Sequence, residues 1–268
     1  MKISVIIPSY KPGTYLWECL DALCNQTLLE KEYELIIVLN GCNQPYASQI
    51  QEYIRTHQNY FILLRQTDEP GVSNARNIGI DESHGDYIVF VDDDDIVSST
   101  YLENLLKVST EDCVGCSTMK AFHQSTKENI ATFLSKAYER CKDVPFNLYD
   151  YRQFLSPTCS KMIHISLIGD TRFQLDMKKS EDSVFCFQIS PRIKDMKLAS
   201  PDAVYYLRLR EGSATRKKES CWSIIKEHLF IEYKYFSVWI KNPFRYNLRF
   251  FLSRVIACGK NCLQYIKR

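Results

Sequence analysis

Residues 92–95 read Asp92-Asp93-Asp94-Asp95 and follow directly on the apolar run Tyr87 to Val91. Four carboxylates at the end of a buried segment repel one another, so a cation or a hydrogen-bond network has to compensate them. Carboxylate oxygens suit Mg²⁺ or Mn²⁺, and Mg²⁺ is commonly held by one or two carboxylates together with the phosphates of a nucleotide. An acidic loop or a helix cap is the other reading of the same run, since Asp caps helices well. A second acidic pair, Glu181-Asp182, opens a helical pattern, where acids favour the positive helix end and a carboxylate can also serve as a general base. Arg76 offers a fixed cation, either for an anionic ligand or for an ion pair with the aspartates.

The elements that must position these groups alternate. Ile3 to Pro8 is a β-branched run, followed by helical spacing of Leu16, Leu20, Leu23 and Cys24. Tyr33 to Leu39 ends at the turn dipeptide Asn40-Gly41, Ala47 to His57 is helical, Tyr60 to Arg65 is a strand, and Gly71 to Asp81 is a helix. Strands alternating with helices predict a parallel sheet covered on both faces, a Rossmann-like three-layer α/β/α sandwich. Ligands of such sheets sit at the carboxyl ends of the strands, so Pro8-Ser9-Tyr10, Asn40-Gly41 and Asp92 to Asp95 should meet in one crevice. Further on, Thr110 to Phe122 reads as a strand, Lys127 to Cys141 and Tyr149 to Leu155 as helices, and Ser183 to Ile189 as a helix behind the acidic pair. Two aromatic, basic helices follow, Trp222 to Lys241 and Phe244 to Lys267, broken at Asn242-Pro243.

Several segments together resemble the family 2 glycosyltransferases, whose fold is the nucleotide-diphospho-sugar transferase (GT-A) sandwich. They are Ser4-Val-Ile-Ile-Pro-Ser-Tyr10, Gln26-Thr27, Tyr33 to Gly41, Gly71-Val-Ser-Asn-Ala-Arg-Asn77, Tyr87 to Asp95, Glu181-Asp182 and Tyr205-Tyr-Leu-Arg-Leu-Arg-Glu-Gly-Ser213. The resemblance spans about residues 2–216 and implies a GT-A domain over 1–216. In it, 1–98 binds the nucleotide-sugar and 99–216 the acceptor, and a basic amphipathic helical tail follows over 217–268. It implies a nucleoside diphosphate sugar donor with Pro8, Ser9 and Tyr10 beside the base and ribose and Arg76 near the donor. It places Asp92 or Asp93 at the ribose and Asp94 on the metal that bridges the diphosphate, with Asp95 as a helix cap. Asp182 is then the general base of a single inverting displacement, and Glu181 orients the acceptor or the helix. Lys161 and the cluster Arg208, Arg210, Arg216, Lys217 and Lys218 are either a solvated face or contacts to donor phosphates or an anionic acceptor. The Gly212-Ser213 turn suggests a lid. Two positions depart from the family: Asn40, where an Asp usually reads the uracil edge, and Lys11, where Asn is common. Asn adds a donor, which widens the choice of nucleotide, with uridine favoured. No Gln-x-x-Arg-Trp follows, so single sugar transfer to a saccharide or lipid-linked saccharide of a surface polysaccharide is expected. The alternative is a catalytically silent relative that binds nucleotide-sugar as a scaffold.

Composition agrees with an ordinary globular chain: 45% apolar and 25% charged residues, 14 Phe, 17 Tyr, 9 Gly and 9 Pro exclude disordered and collagenous classes. The net charge of +2 hides an asymmetry, because residues 216–268 carry 12 Lys+Arg against 3 Asp+Glu. Aromatic, basic helices of this kind settle on anionic membranes, pack on the core, or join another subunit. Nothing resembles a nucleic-acid module, so no nucleic acid is expected. There is no apolar stretch of ~20 residues and no signal-peptide region, which predicts a cytoplasmic chain, peripheral at the inner face of the membrane. The 11 scattered cysteines read as reduced core thiols, including the lone Cys113-Val-Gly-Cys116. Walker-type and GxGxxG loops are absent, which disfavours kinases and dinucleotide enzymes.

Overall fold

The computed structural model describes residues 1–124, 128–210 and 220–266. In chain order the elements are β1 (Ile3–Ser9), α1 (Tyr15–Cys24), β2 (Tyr33–Asn40), α2 (Tyr46–Thr56), β3 (Phe61–Thr67), α3 (Val72–Asp81), β4 (Tyr87–Phe90), β5 (Ile96–Val97), α4 (Tyr101–Leu106) and β6 (Cys113–Cys116). There follow β7 (Thr118–His123), β8 (Asn129–Ala131), α5 (Phe133–Cys141), β9 (Lys161–His164), α6 (Ile165–Ile168), α7 (Glu181–Ile189), β10 (Asp195–Leu198), β11 (Val204–Leu209), α8 (Cys221–Lys241) and α9 (Leu248–Ile266).

A seven-stranded sheet runs β10-β6-β9-β4-β1-β2-β3, parallel throughout except for β9, which is antiparallel to β4 and β6. Its central strands are apolar on both faces because helices cover both: Ile36 and Val38 pack with Ala75 of α3, while Leu35, Ile37 and Leu39 point into the main core. Helix α3 lies hard against β1. A Cβ on Gly79 would come within 2.3 Å of the Ile6 side chain, so only glycine permits this approach, and Arg76 one turn earlier is thereby set over the strand ends. A second sheet, β5-β11-β7-β8, joins the segment after the aspartates to the strand carrying Arg208. The α/β sandwich expected from the alternating pattern is thus present, with the helical C-terminal pair appended.

The second half differs from the sequence reading in three places. Thr110 to Phe122 is two strands in different sheets: β6 belongs to the large sheet and β7 to the small one, divided at buried Ser117. Residues 129–131 form β8, and the helix begins only after Thr132, which caps α5 by accepting from the amides of Leu134 and Ser135. Strands β9 and β10 have four residues each, too short for a periodic signal.

Helices α8 and α9 pack inward on α7. Phe187 stacks on Tyr246 (4.8 Å between ring centres) and meets Tyr235 and Phe250, Ser183 Oγ hydrogen-bonds Tyr235, and Lys179 pairs with Glu227 at 2.6 Å. Buried Arg254 donates to Ser156 Oγ and to the Arg152 carbonyl. Among the described residues no helix is long and apolar enough to cross a membrane. The cysteines are free thiols, and Cys113 and Cys116 lie buried in β6.

Candidate active site

The carboxyl ends of β1, β2 and β4 border a crevice of about 810 Å³ lined by Pro8, Tyr10, Asn40, Arg76, Asp92 to Asp95, and Leu207 to Arg210, with Pro70, Gly71 and Val72 completing it. Its size suits a nucleotide-sized ligand. The three strand-end segments named from sequence therefore meet.

Arg76 is the centre of the acidic side. The residue is 4% exposed, and its guanidinium reaches Asp92 Oδ1 at 3.1 Å and Glu181 Oε1 at 3.1 Å, with a closer contact to Asp182 Oδ1. Burial alone would lower its pKa, but the charges of Asp182, Asp92 and Glu181 together raise it, so the cation is permanent. Of the two readings of Arg76, the ion pair with the aspartates is the one present, and the residue also lines the crevice. Among the described residues its Nε finds no hydrogen-bond partner. The ring of Phe173 lies 5.4 Å from the guanidinium and is itself stacked on Phe185 at 4.0 Å, which fixes its plane.

Glu181 and Asp182 form the first turn of α7, preceded by Ser180 in the left-handed conformation (φ 60°). Such a backbone is costly outside glycine and is retained where the surroundings hold it. Asp182 Oδ2 also accepts from the Thr158 amide at 3.2 Å. Burial, then the Asp182 charge, push the Glu181 carboxyl up to about 7, against the opposing pull of Arg76. A carboxyl of that pKa exchanges a proton at neutral pH.

The aspartates are distributed over different partners. Asp93 Oδ2 accepts from Ser9 Oγ at 2.7 Å, and burial pushes its carboxyl up to about 6. Asp94 pairs with Arg210, while burial and Asp92 raise its pKa. Asp95 is not a helix cap, since α4 begins six residues later. It is 1% exposed and accepts from Tyr205 Oη at 2.7 Å and from the Arg208 amide at 2.7 Å. Tyr205 Oη in turn accepts from the Asp92 amide.

Arg208 and Lys161 are likewise corrected. The Arg208 guanidinium is fully enclosed: Nε donates to the Asp94 carbonyl (2.7 Å), Nη2 to Glu18 (2.9 Å) and Nη1 to Gln124, with Tyr15 and Phe122 rings at 4.4 and 4.8 Å. It borders the crevice yet clamps the aspartate turn instead of lying on a solvated face. Lys161, 1% exposed in β9, directs its ammonium onto the carbonyls of Pro157 and Cys159, a buried structural role away from the crevice. Arg210 remains half exposed at the crevice rim. Arg216, Lys217, Lys218 and the Gly212-Ser213 turn lie outside the described residues.

Asn40 is 3% exposed and used at both ends, its Nδ2 donating to the Ser9 carbonyl (2.7 Å) and its Oδ1 accepting from the Gly71 amide (2.9 Å). An Asp could not make the first bond, so here the residue stitches β1 to the start of α3, where Gly71 holds φ 145°. Lys11 has φ 48°, a left-handed conformation that Asn adopts more readily than Lys. Tyr10 is exposed at 53%, an open ring beside Pro8 and Pro70.

Among the described residues, no three His, Cys, Asp or Glu side chains are grouped to hold a metal alone. The hard carboxylate oxygens at the crevice are of the kind that suits a divalent cation completed by phosphates, although the Asp94 carboxylate is here paired with Arg210. Sequence reasoning missed Tyr205, Asp95, Glu18 and Gln124 as the framework of the turn. The pairing of β11 with β5 and β7 brings Tyr205, Asp95 and Gln124 together, and α1 adds Glu18.

Known proteins resemble this chain over most of its length. The chain is 28% identical over 214 residues to the poly(ribitol-phosphate) beta-glucosyltransferase of Bacillus spizizenii, covering 79% of this chain and 33% of that protein. It therefore spans about a third of the length of the curated relatives it matches. The crystal structure of S. aureus TarS 1-349 in complex with UDP-GlcNAc superposes with a TM-score of 0.71 at 23% identity over 88% of this chain and 66% of that one. A mannosyltransferase from Pyrobaculum calidifontis in complex with GDP-Man and Mn²⁺ gives 0.63 at 15% identity, covering 97% and 69%. These structures share the fold. The sequence model of glycosyl transferase family 2 matches residues 4–165, more than half of the chain, and the chain belongs to that family.

Proposed function

We propose that the chain transfers a single sugar from a nucleoside diphosphate sugar, a UDP-sugar by preference, to a saccharide or lipid-linked saccharide acceptor in surface polysaccharide synthesis, with inversion and with a divalent metal. The observation that carries this reading is Arg76, which ties the aspartate turn at the crevice to the acidic pair on α7 through one buried guanidinium. A donor site and a proton acceptor are thereby held in fixed relation, as a direct displacement requires. The preference for uridine rests on the TarS complex with UDP-GlcNAc. The assignment of residues 1–98 to donor, 99–216 to acceptor and 217–268 to a tail follows the family layout. The tail makes a peripheral contact with the inner face of the cell membrane.

Asp182 takes the proton of the acceptor hydroxyl as its oxygen attacks the anomeric carbon, and the nucleoside diphosphate leaves from the opposite face. Arg76 holds Asp182 in place through their ion pair. Pro8, Ser9, Tyr10 and Asn40 frame the base and ribose, with Asp92 or Asp93 facing the ribose. When bound at Asp94, Mn²⁺ or Mg²⁺ supplies positive charge for the departing diphosphate. A second reading assigns the proton to Glu181, favoured by its pKa of about 7.

The test is calorimetry of UDP, GDP and their sugars with and without Mn²⁺, followed by transfer assays on variants. D182N is expected to bind donor normally and to lose ~10²–10⁴-fold in transfer, whereas D94N loses metal-dependent donor binding. If E181Q instead of D182N abolishes transfer, the second reading holds. No metal-dependent response to any nucleotide would return the protein to the silent-scaffold alternative.

A further inference from the structure

The outward side of the α8–α9 hairpin is built unlike the rest of the surface. On α8, Trp222, Leu229, Tyr233, Phe236 and Ile240 recur at helical spacing and are exposed, Trp222 at 73%. At 100° per residue they lie opposite Ile231, Tyr235 and Val238, which face the core. On α9, Leu248, Leu252 and Ile256 form a matching exposed row opposite Phe251, Arg254 and Cys258, and Phe244 between the helices is fully exposed. Two parallel rows of large apolar side chains exceed the scattered exposure normal for a soluble surface.

The charges are sorted as well. Residues 221–263 contain only two carboxylates, Glu227 and Glu232. Glu227 pairs inward with Lys179, and the Glu232 carboxylate faces Gly259 across the helix pair. The exposed ionic groups Lys226, Lys241, Arg245, Arg249 and Lys260 are all cations. Pairing this face with a second copy would set the same five cations against one another, with no exposed acid among residues 221–263 to meet them. A soluble polyanion would meet the cations but leave the apolar rows in water.

We infer that this face is a docking surface for an anionic lipid bilayer, its apolar rows entering the interface and its cations meeting lipid phosphates. The docking face rests on the membrane-contact reading above, and donor binding measured on the same protein keeps a failure of docking apart from a failure of sugar transfer. The full chain is sedimented with vesicles of phosphatidylcholine alone and of phosphatidylcholine mixed with phosphatidylglycerol, at low and high salt. Binding is expected only to the mixed vesicles, weaker in high salt, with a blue shift of tryptophan fluorescence that W222F removes. The pair F236E and L252E, both at exposed positions, is expected to lower partitioning about tenfold or more while UDP binding is unchanged. Absent or equal binding to both vesicle types overturns the inference. So does a stable dimer that F236E dissociates, which would make the face a self-interface, or retention on soluble polyphosphate that F236E leaves intact, which would make it a polymer track.

Discussion

Two buried arginines flank the same aspartate turn and do different things. Arg76 meets three carboxylates, Asp92, Glu181 and Asp182, all partly open to solvent, and Asp92 lines the crevice. Arg208 meets one carboxylate, a backbone carbonyl, an amide oxygen and two aromatic faces, and its guanidinium is closed off from solvent. The first arrangement concentrates like charges around one cation, which is electrostatically tense and suited to chemistry. The second satisfies a cation with one carboxylate and several neutral partners, which is suited to holding a loop still. Charge type alone does not separate a reactive arginine from a scaffolding one; the composition of its neighbours does.

That contrast can be broken in four ways. R76A leaves three carboxylates without their shared cation, and the transfer rate is expected to fall ~10³-fold or more. Its stability, measured by urea unfolding, should fall about 3 kcal/mol at pH 7.5. The loss should shrink at pH 5 as Glu181, whose carboxyl is raised to about 7, takes up a proton; equal loss at both pH values would mean that Arg76 acts by packing. R208A should reverse the emphasis, costing about 2–4 kcal/mol of stability but only about tenfold in transfer through a loosened turn. A larger effect on rate than R76A would erase the distinction. Y205F leaves the Asp92 amide and the Asp95 carboxylate short of a partner, so about 1–3 kcal/mol should be lost in the same unfolding assay. The smallest effect concerns pH. Glu181 and Asp93 have folded-state pKa values of about 7 and about 6, both raised above their ordinary values. Between about pH 4 and pH 7 the folded chain therefore keeps protons that the unfolded chain has lost, and stability falls as pH rises through this window. The apo Tm should decline across it, and E181Q should flatten the slope.

The first half of the fold was legible because its strands are long, apolar and punctuated by turn residues. Ile3 to Ser9 and Tyr33 to Asn40 are buried at every position, the pattern of a doubly covered parallel strand. The second half was less so, because β8, β9 and β10 have three or four residues and their identity is decided by neighbours distant in sequence. The site follows the same division. Asp92 to Asp94, Arg76 and Glu181-Asp182 announce themselves by type and order, but the burial of Lys161 and Arg208 could not be read from their charge. Asp95 was misassigned for a related reason: a carboxylate before a helical pattern looks like a cap until a strand 110 residues later supplies Tyr205.

Ser117 marks where one uninterrupted stretch of chain leaves the large sheet as β6 and enters the small one as β7. The large sheet itself interleaves early and late segments, with β9 from residues 161–164 seated against β4 from residues 87–90. Expressed alone, residues 1–98 would therefore present β4 as a bare, apolar edge inviting intermolecular pairing. A split-protein reporter cut near Ser98 would then regain its fold only when both pieces meet, whereas a cut in residues 211–219, beyond β11, would leave both sheets whole.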